Sequence, residues 1–63
     1  MANMLVNMLK LQTDYRIPMP MDLGTKGQLD YYKQKLHKHE FDTSELVLLL
    51  KNVVIDLEEK LAI

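Results

Sequence analysis

The chain has 63 residues, contains no cysteine and carries a formal net charge of −1. This length allows one small domain, whose limited buried surface gives it marginal stability. The lack of cysteine excludes disulfides and thiolate metal sites, and the charge offers no global basic excess for a phosphate backbone. We therefore expect a single soluble, cytoplasmic domain over residues 1–63 that is reinforced by a partner or by self-association.

The N-terminal segment is apolar with helical spacing. It is too short to span a bilayer, and no basic stretch precedes it as in a signal peptide, so we expect no membrane role. One helical stripe is formed by Met1, Met4, Leu5, Met8 and Leu9. The sequence predicts a terminal amphipathic helix over about residues 2–13. Because methionine is common at adaptable binding surfaces, Met4 and Met8 are candidates for contact with a partner, although packing in the core is the favoured interpretation for these methionines.

Pro18 and Pro20 interrupt the helical pattern. Each proline lacks an amide donor and favours extended backbone at the residue before it. The sequence predicts an extended strap over residues 14–24, in which Ile17, Met19 and Met21 alternate onto one side. Either the strap packs over the helices of its own chain or it is offered to a partner.

A second helix is predicted over about residues 26–38. Thr25 and Gln28 match the S/T-x-x-E/Q capping box, in which each side chain would satisfy a backbone amide. The inward stripe of this helix is predicted to contain Leu29, Tyr32 and Leu36.

A third helix, over about residues 43–61, has the strongest signals. Asp42 and Glu45 form an Asp variant of the capping box, and Phe41 and Leu46 occupy the positions of a hydrophobic staple. These caps favour a helix, although the β-branched run 53–55 alone would also suit a buried strand. The predicted core face comprises Leu46, Val47, Leu50, Val53, Val54, Leu57 and Leu61. The second and third helices are predicted to form an antiparallel hairpin. The predicted fold class is therefore all-α with three helices.

The third helix carries more apolar surface than one core face needs. Leu48 and Ile55 lie seven residues apart, about 90° or more from the centre of the core face, and Leu49 lies on the other flank. Two short helices and a strap can hardly cover all of this surface. We predict a homodimer or higher oligomer, or contact with another protein, through Met4, Met8 and these three residues. The alternative is that helix 1 and the strap cover the surplus within a monomer.

Signals for catalysis and for metal binding are weak. His37 and His39 would point about 200° apart on a helix, so they cannot share one metal ion there. Ser44 is the only serine and falls in a predicted cap turn beside Asp42, which does not favour nucleophilic catalysis. There is no glycine-rich phosphate loop at the required spacing. We expect no catalytic residue, no cofactor and no metal site.

Basic residues are concentrated in the second helix, at Lys26, Lys33, Lys35 and Lys38. Next to Tyr31 and Tyr32, these lysines could hold nucleic acid, but the acidic third helix would weaken their field and could instead attract them directly. The leading interpretation is a non-catalytic interaction module: an oligomerisation unit, an adaptor or a small regulator of a larger protein. The alternative is a small nucleic-acid-binding or transcription-regulating protein, which a gel shift at low salt would reveal.

Overall fold

The computed structural model describes residues 4–62 and contains three α-helices. They are α1 (Met4–Tyr15), α2 (Gly24–Lys38) and α3 (Ser44–Ala62), and a short 3-10 turn (Met21–Leu23) precedes α2. Within residues 4–62 there is no β-strand. The predicted all-α class and the three helices are confirmed. The predicted beginning of the first helix at residue 2 and the predicted stripe residue Met1 lie outside the described residues.

The central element is α3, which packs against both α1 and α2. Its middle residue Leu50 is fully buried, as the sequence predicts. Because helices flank α3 on two sides, its buried arc is wider than a single stripe and includes Leu49, which helical spacing alone predicts to lie on a surplus flank. Leu61, predicted to face the core, is instead exposed. The buried residues of α3 are Leu46, Leu49, Leu50, Val53, Val54 and Leu57.

The core face of α1 differs from the predicted stripe. Leu5 and Leu9 are exposed, whereas Leu11 is fully buried. The helix continues to Tyr15, two residues past its predicted end, and the inward positions follow a spacing of i, i+4, i+7 and i+11. The residues of α1 that contact the core are Met4, Met8, Leu11 and Tyr15.

The strap is packed, not free. Ile17 is buried in the core, and its amide donates a hydrogen bond to the Leu11 carbonyl at 3.1 Å. The part without regular secondary structure covers only residues 16–20, because α1 takes the beginning of the predicted strap and the 3-10 turn takes most of its end. The predicted alternation therefore fails at Met21, whose side chain is 69% exposed in that turn.

Arg16 ends α1 in the left-handed region, with φ of 56°. This conformation is unfavourable for a residue with a side chain, and helices commonly end on a glycine that adopts it. Replacing Arg16 with Gly is expected to stabilise the chain by about 0.5–1 kcal/mol, because relief of this strain outweighs the greater freedom of glycine in the unfolded state. Urea unfolding measures the change, and Arg16→Ala, which keeps the strain but removes the guanidinium, is the control. Equal stability of the two variants would contradict the strain argument.

The predicted capping box of the second helix is wrong. The helix already includes Thr25, and no side chain caps its N-terminus. The Gln28 side-chain amide donates instead to the Pro20 carbonyl at 3.2 Å, which ties α2 to the strap. Gly24 makes the sharp entry into α2 with φ of 70° and ψ of 177°, a backbone region that is essentially restricted to glycine. The chain therefore starts α2 with a glycine turn rather than with a threonine cap.

The predicted cap and staple of the third helix are also wrong. The Thr43 carbonyl accepts the first helical hydrogen bond, from the Val47 amide at 3.1 Å, so the helix begins one residue later than the Asp cap would place it. The Asp42 carboxylate lies against the His39 imidazole, with Oδ2 and Nδ1 2.6 Å apart. Phe41 does not staple onto Leu46, because its side chain is 93% exposed. Asp42 contacts His39, Glu45 accepts a hydrogen bond from Tyr15, and Phe41 is exposed, so none of these residues plays its predicted role in the cap or the staple.

Candidate interaction surface

The five residues predicted to contact a partner fall into three environments. Met8 and Leu49 are 4% and 7% exposed within the core of the single chain, which corrects their assignment to a contact surface. Met4 is half-buried against that core. Leu48 and Ile55 are 56% and 49% exposed on α3. Of the five predicted residues, only Leu48 and Ile55 are exposed on α3.

We call the side of α3 that points away from the core its outer face, made of Leu48, Lys51, Ile55 and Glu59. All four side chains are exposed. Leu48 and Ile55 are two helical turns apart, which separates them by about 10 Å along the helix axis. Lys51 lies between them and Glu59 follows them. The outer face is therefore a short apolar stripe that carries one cation and one anion.

A depression of about 300 Å³ adjoins the N-terminal end of this face. Its apolar part is formed by Val47 and Leu48, and its charged part includes Lys51 on α3. The remaining lining residues, Glu40, Asp42 and Ser44, come from the connection and from the first residue of α3. Since Leu48 and Lys51 belong to both features, the depression and the outer face form one continuous surface.

Phe41 is the most exposed large apolar side chain among the described residues. It stands between Glu40 and Asp42, two residues that line the depression. The turn that carries it is closed by a hydrogen bond from the Asp42 amide to the His39 carbonyl at 2.9 Å and by the His39–Asp42 side-chain contact. The aromatic ring is thus held out into solvent at the edge of the depression.

Nothing among the described side chains assembles a metal site: within residues 4–62, no three His, Asp or Glu side chains are placed to hold an ion. His37 is exposed on α2, and His39 contacts Asp42. Ser44 is exposed at the start of α3. The contact between His39 and Asp42 lies within the connection between α2 and α3.

Two of the four lysines on α2 have partners inside the chain. The Lys33 Nζ lies 3.6 Å from the Glu58 Oε2 on α3, and the Lys35 Nζ lies 5.2 Å from the centre of the Tyr31 ring. Lys26 and Lys38 are exposed. The first contact is of the kind expected if the basic second helix and the acidic third helix attract each other.

A cluster that sequence reasoning missed joins α1 to the start of α3. The Tyr15 hydroxyl donates to the Glu45 Oε1 at 2.6 Å, and the Lys10 Nζ lies 3.7 Å from the Glu45 Oε2. The hydrogen bond from Tyr15 and then the charge of Lys10 lower the pKa of Glu45. The same hydrogen bond is the main cause that raises the pKa of Tyr15. No local signal reveals this cluster, because Glu45 is 30 residues from Tyr15 in the sequence.

Other large apolar side chains are exposed away from the outer face. They are Leu5, Val6 and Leu9 in the first two turns of α1, Met21 and Leu23 in the 3-10 turn, and Leu61 at the end of α3. Exposed apolar residues are common on protein surfaces. What distinguishes the outer face is that its apolar stripe continues into a depression with an exposed aromatic ring at its edge.

No helix within residues 4–62 has both the length and the apolar character needed to cross a membrane. Comparisons with the models of known protein families, with curated proteins and with solved structures find no match to this chain.

Proposed function

We propose that this chain is a non-catalytic protein–protein interaction module that self-associates through the outer face of α3. The observation that carries the proposal is the exposure of Leu48 and Ile55, two turns apart on a helix whose other sides are already covered by α1 and α2. Covering these side chains removes apolar surface from water, and association stabilises the folded chain by mass action. A domain of this size benefits most from that reinforcement.

A twofold dimer suits such a face, because an isologous contact uses the same patch on both copies. The outer face contains both a cation, Lys51, and an anion, Glu59, so a second copy offers charges of both signs to it. In this proposal the assembled chain acts as an oligomerisation unit, an adaptor or a small regulator. The cytoplasm suits a chain without cysteine, because thiols and disulfides play no part in its stability.

Nucleic-acid binding is less well supported than self-association. Lys33 is paired with Glu58, and Lys35 is stacked over Tyr31, so two of the four basic side chains are engaged within the chain. Phosphate contacts need free cations that can displace counterions. Lys26 and Lys38 alone make a weak basic surface beside the acids of α3.

Sedimentation equilibrium across a hundredfold concentration range is expected to show a dimer that Ile55→Asp dissociates. Placing an unpaired carboxylate in the apolar contact should raise the dissociation constant by about 100-fold or more. Because Ile55 is half-exposed in the single chain, helical content measured by circular dichroism should change little.

The matched control is Leu5→Asp, which puts the same charge on an exposed apolar position of α1 and should leave the dimer intact. A wild-type chain that stays monomeric across the whole range would refute self-association. In that case capture of a different protein by the wild type but not by Ile55→Asp would assign the outer face to another partner.

A further inference from the structure

We propose that α1 is an exchangeable helix: when chains fold together at high concentration, α1 of one copy packs on α3 of a second copy, which returns its own α1. We call this arrangement the exchanged dimer. Its hinge is the segment of residues 16–20, which joins α1 to the 3-10 turn. The exchange uses the side of α3 that α1 covers and leaves the outer face free, so it does not depend on the proposed self-association.

The site that would receive the exchanged helix is already filled by α1 in the single chain. Within residues 4–62, the backbone of α1 closely approaches that of α3 but not that of α2. The Tyr15 hydroxyl donates to Glu45 of α3 at 2.6 Å, and the Lys10 Nζ lies 3.7 Å from the same carboxylate. A second copy offers the same helices and the same carboxylate. The exchanged dimer therefore repeats existing contacts, which is why such exchange is a low-cost route to association.

The hinge begins with backbone strain. Arg16 has φ of 56°, in the left-handed region that is unfavourable for a residue with a side chain. In the single chain this residue turns the backbone at the end of α1, whereas a straightened hinge lets Arg16 leave that region. Pro18 and Pro20 favour extended backbone at the residues before them, which suits the straightened form. Short hinges that hold strain invite exchange, and each exchanged dimer relieves the strain twice.

Opening the hinge also has a cost. It breaks the hydrogen bond from the Ile17 amide to the Leu11 carbonyl, but water can then hydrate both groups, so the net loss is small. The Ile17 side chain is buried in the single chain. Because five extended residues span at most about 17 Å, the two copies stay close enough to cover Ile17 between them. The single chain prevails in dilute solution, and the exchanged dimer gains with concentration by mass action.

The first test identifies which chain supplies α1. Equal amounts of unlabelled and ¹⁵N-labelled wild-type chain are unfolded together in urea, refolded at high concentration and treated with a carbodiimide, which couples touching amines and carboxylates. Full exchange should give about half of the Lys10–Glu45 crosslinked peptides one strand of each isotope. The Lys33–Glu58 pair, 3.6 Å apart between α2 and α3, is the internal control and should always carry a single isotope.

The second test changes the strain at Arg16 in chains that also carry Ile55→Asp, which removes association through the outer face. By sedimentation equilibrium, Arg16→Gly should raise the dissociation constant of the exchanged dimer about 5- to 30-fold, since each of two hinges contributes about two- to fivefold. Arg16→Val should lower it by about fivefold or more, because a β-branched residue tolerates this backbone conformation least. Arg16→Ala keeps the strain and should match the parent chain.

The outcomes separate this inference from the proposed function. Lys10–Glu45 peptides of a single isotope, even after refolding at the highest concentration, would overturn the exchange of α1. Mixed isotopes in the Lys33–Glu58 peptides as well would mean that the α2–α3 hairpin opens too, so α1 would not be the exchanging element. Equal dissociation constants for Arg16→Gly and Arg16→Val would overturn the role of the hinge. None of these results bears on the outer face, which the Ile55→Asp comparison tests separately.

Discussion

Replacing Leu50 with Asp is expected to unfold the chain at 25 °C, as a loss of helical content in circular dichroism. Leu50 is fully buried in the middle of α3, the helix on which both α1 and α2 pack. An isolated carboxylate at such a site costs several kcal/mol, and the lost packing of the leucine adds about 2–5 kcal/mol. The sum is comparable to the whole stability of a small domain, which is about 5 kcal/mol at the low end.

Leu48→Asp is the matched control, because it removes the same side chain and adds the same charge two residues away on the same helix. Leu48 lies on the outer face, so at low protein concentration this variant should retain most of the wild-type helical content. Unfolding of both variants to the same extent at every concentration would mean that the outer face belongs to the core. A folded Leu50→Asp variant would contradict the central position of α3.

Helical periodicity and chain-breaking residues were enough to predict the class of fold. Pro18 and Pro20 separate α1 from α2, and the apolar spacing of Tyr32 and Leu50 places both in the core. Periodicity alone did not give the width of each buried face. Leu49 is buried because α3 has a neighbour on each side, and the number of neighbours is a property of the assembled chain rather than of one helix.

Local capping motifs failed because other contacts, some local and some between helices, offered their side chains other partners. Asp42 contacts the imidazole of His39, and Glu45 accepts the hydroxyl of Tyr15 from α1. A capping bond contributes about 1 kcal/mol, which other hydrogen bonds readily match. Gln28 likewise binds the Pro20 carbonyl rather than closing a box with Thr25. In each case the helix forms close to where it was predicted, but a different set of contacts fixes its end.

The candidate surface was predictable only in part, for the same reason. Leu48 and Ile55 share a helical face that cannot also face the core, so their exposure follows from spacing. The position of Phe41 depends on the turn that joins α2 and α3, and the staple motif suggested the opposite of what is seen. The depression exists only because that turn folds back beside the first turns of α3.

Replacing Tyr32 with Phe is expected to stabilise the chain by about 1–2 kcal/mol at pH 7. Tyr32 is fully buried, and within residues 4–62 its hydroxyl has no hydrogen-bond partner. An unsatisfied buried hydroxyl costs about 1–3 kcal/mol, and phenylalanine keeps the ring that packs edge-on against Tyr31. Urea unfolding should show a higher midpoint with an unchanged slope. Tyr15→Phe is the control and should be destabilising, because it removes the hydrogen bond to Glu45.

The advantage of Tyr32→Phe should grow at alkaline pH. Burial raises the pKa of Tyr32 from 10.0 to about 12, so the folded state favours the neutral phenol. The stability linked to this group is fully present below pH 10 and is lost as the pH rises from 10 to about 12. The phenylalanine variant lacks this loss, so the difference between the two urea midpoints should widen over that interval. A constant difference from pH 7 to pH 11.5 would mean that the phenol ionises without opposing folding, and lower stability of the variant at pH 7 would mean that the hydroxyl is hydrogen-bonded in solution.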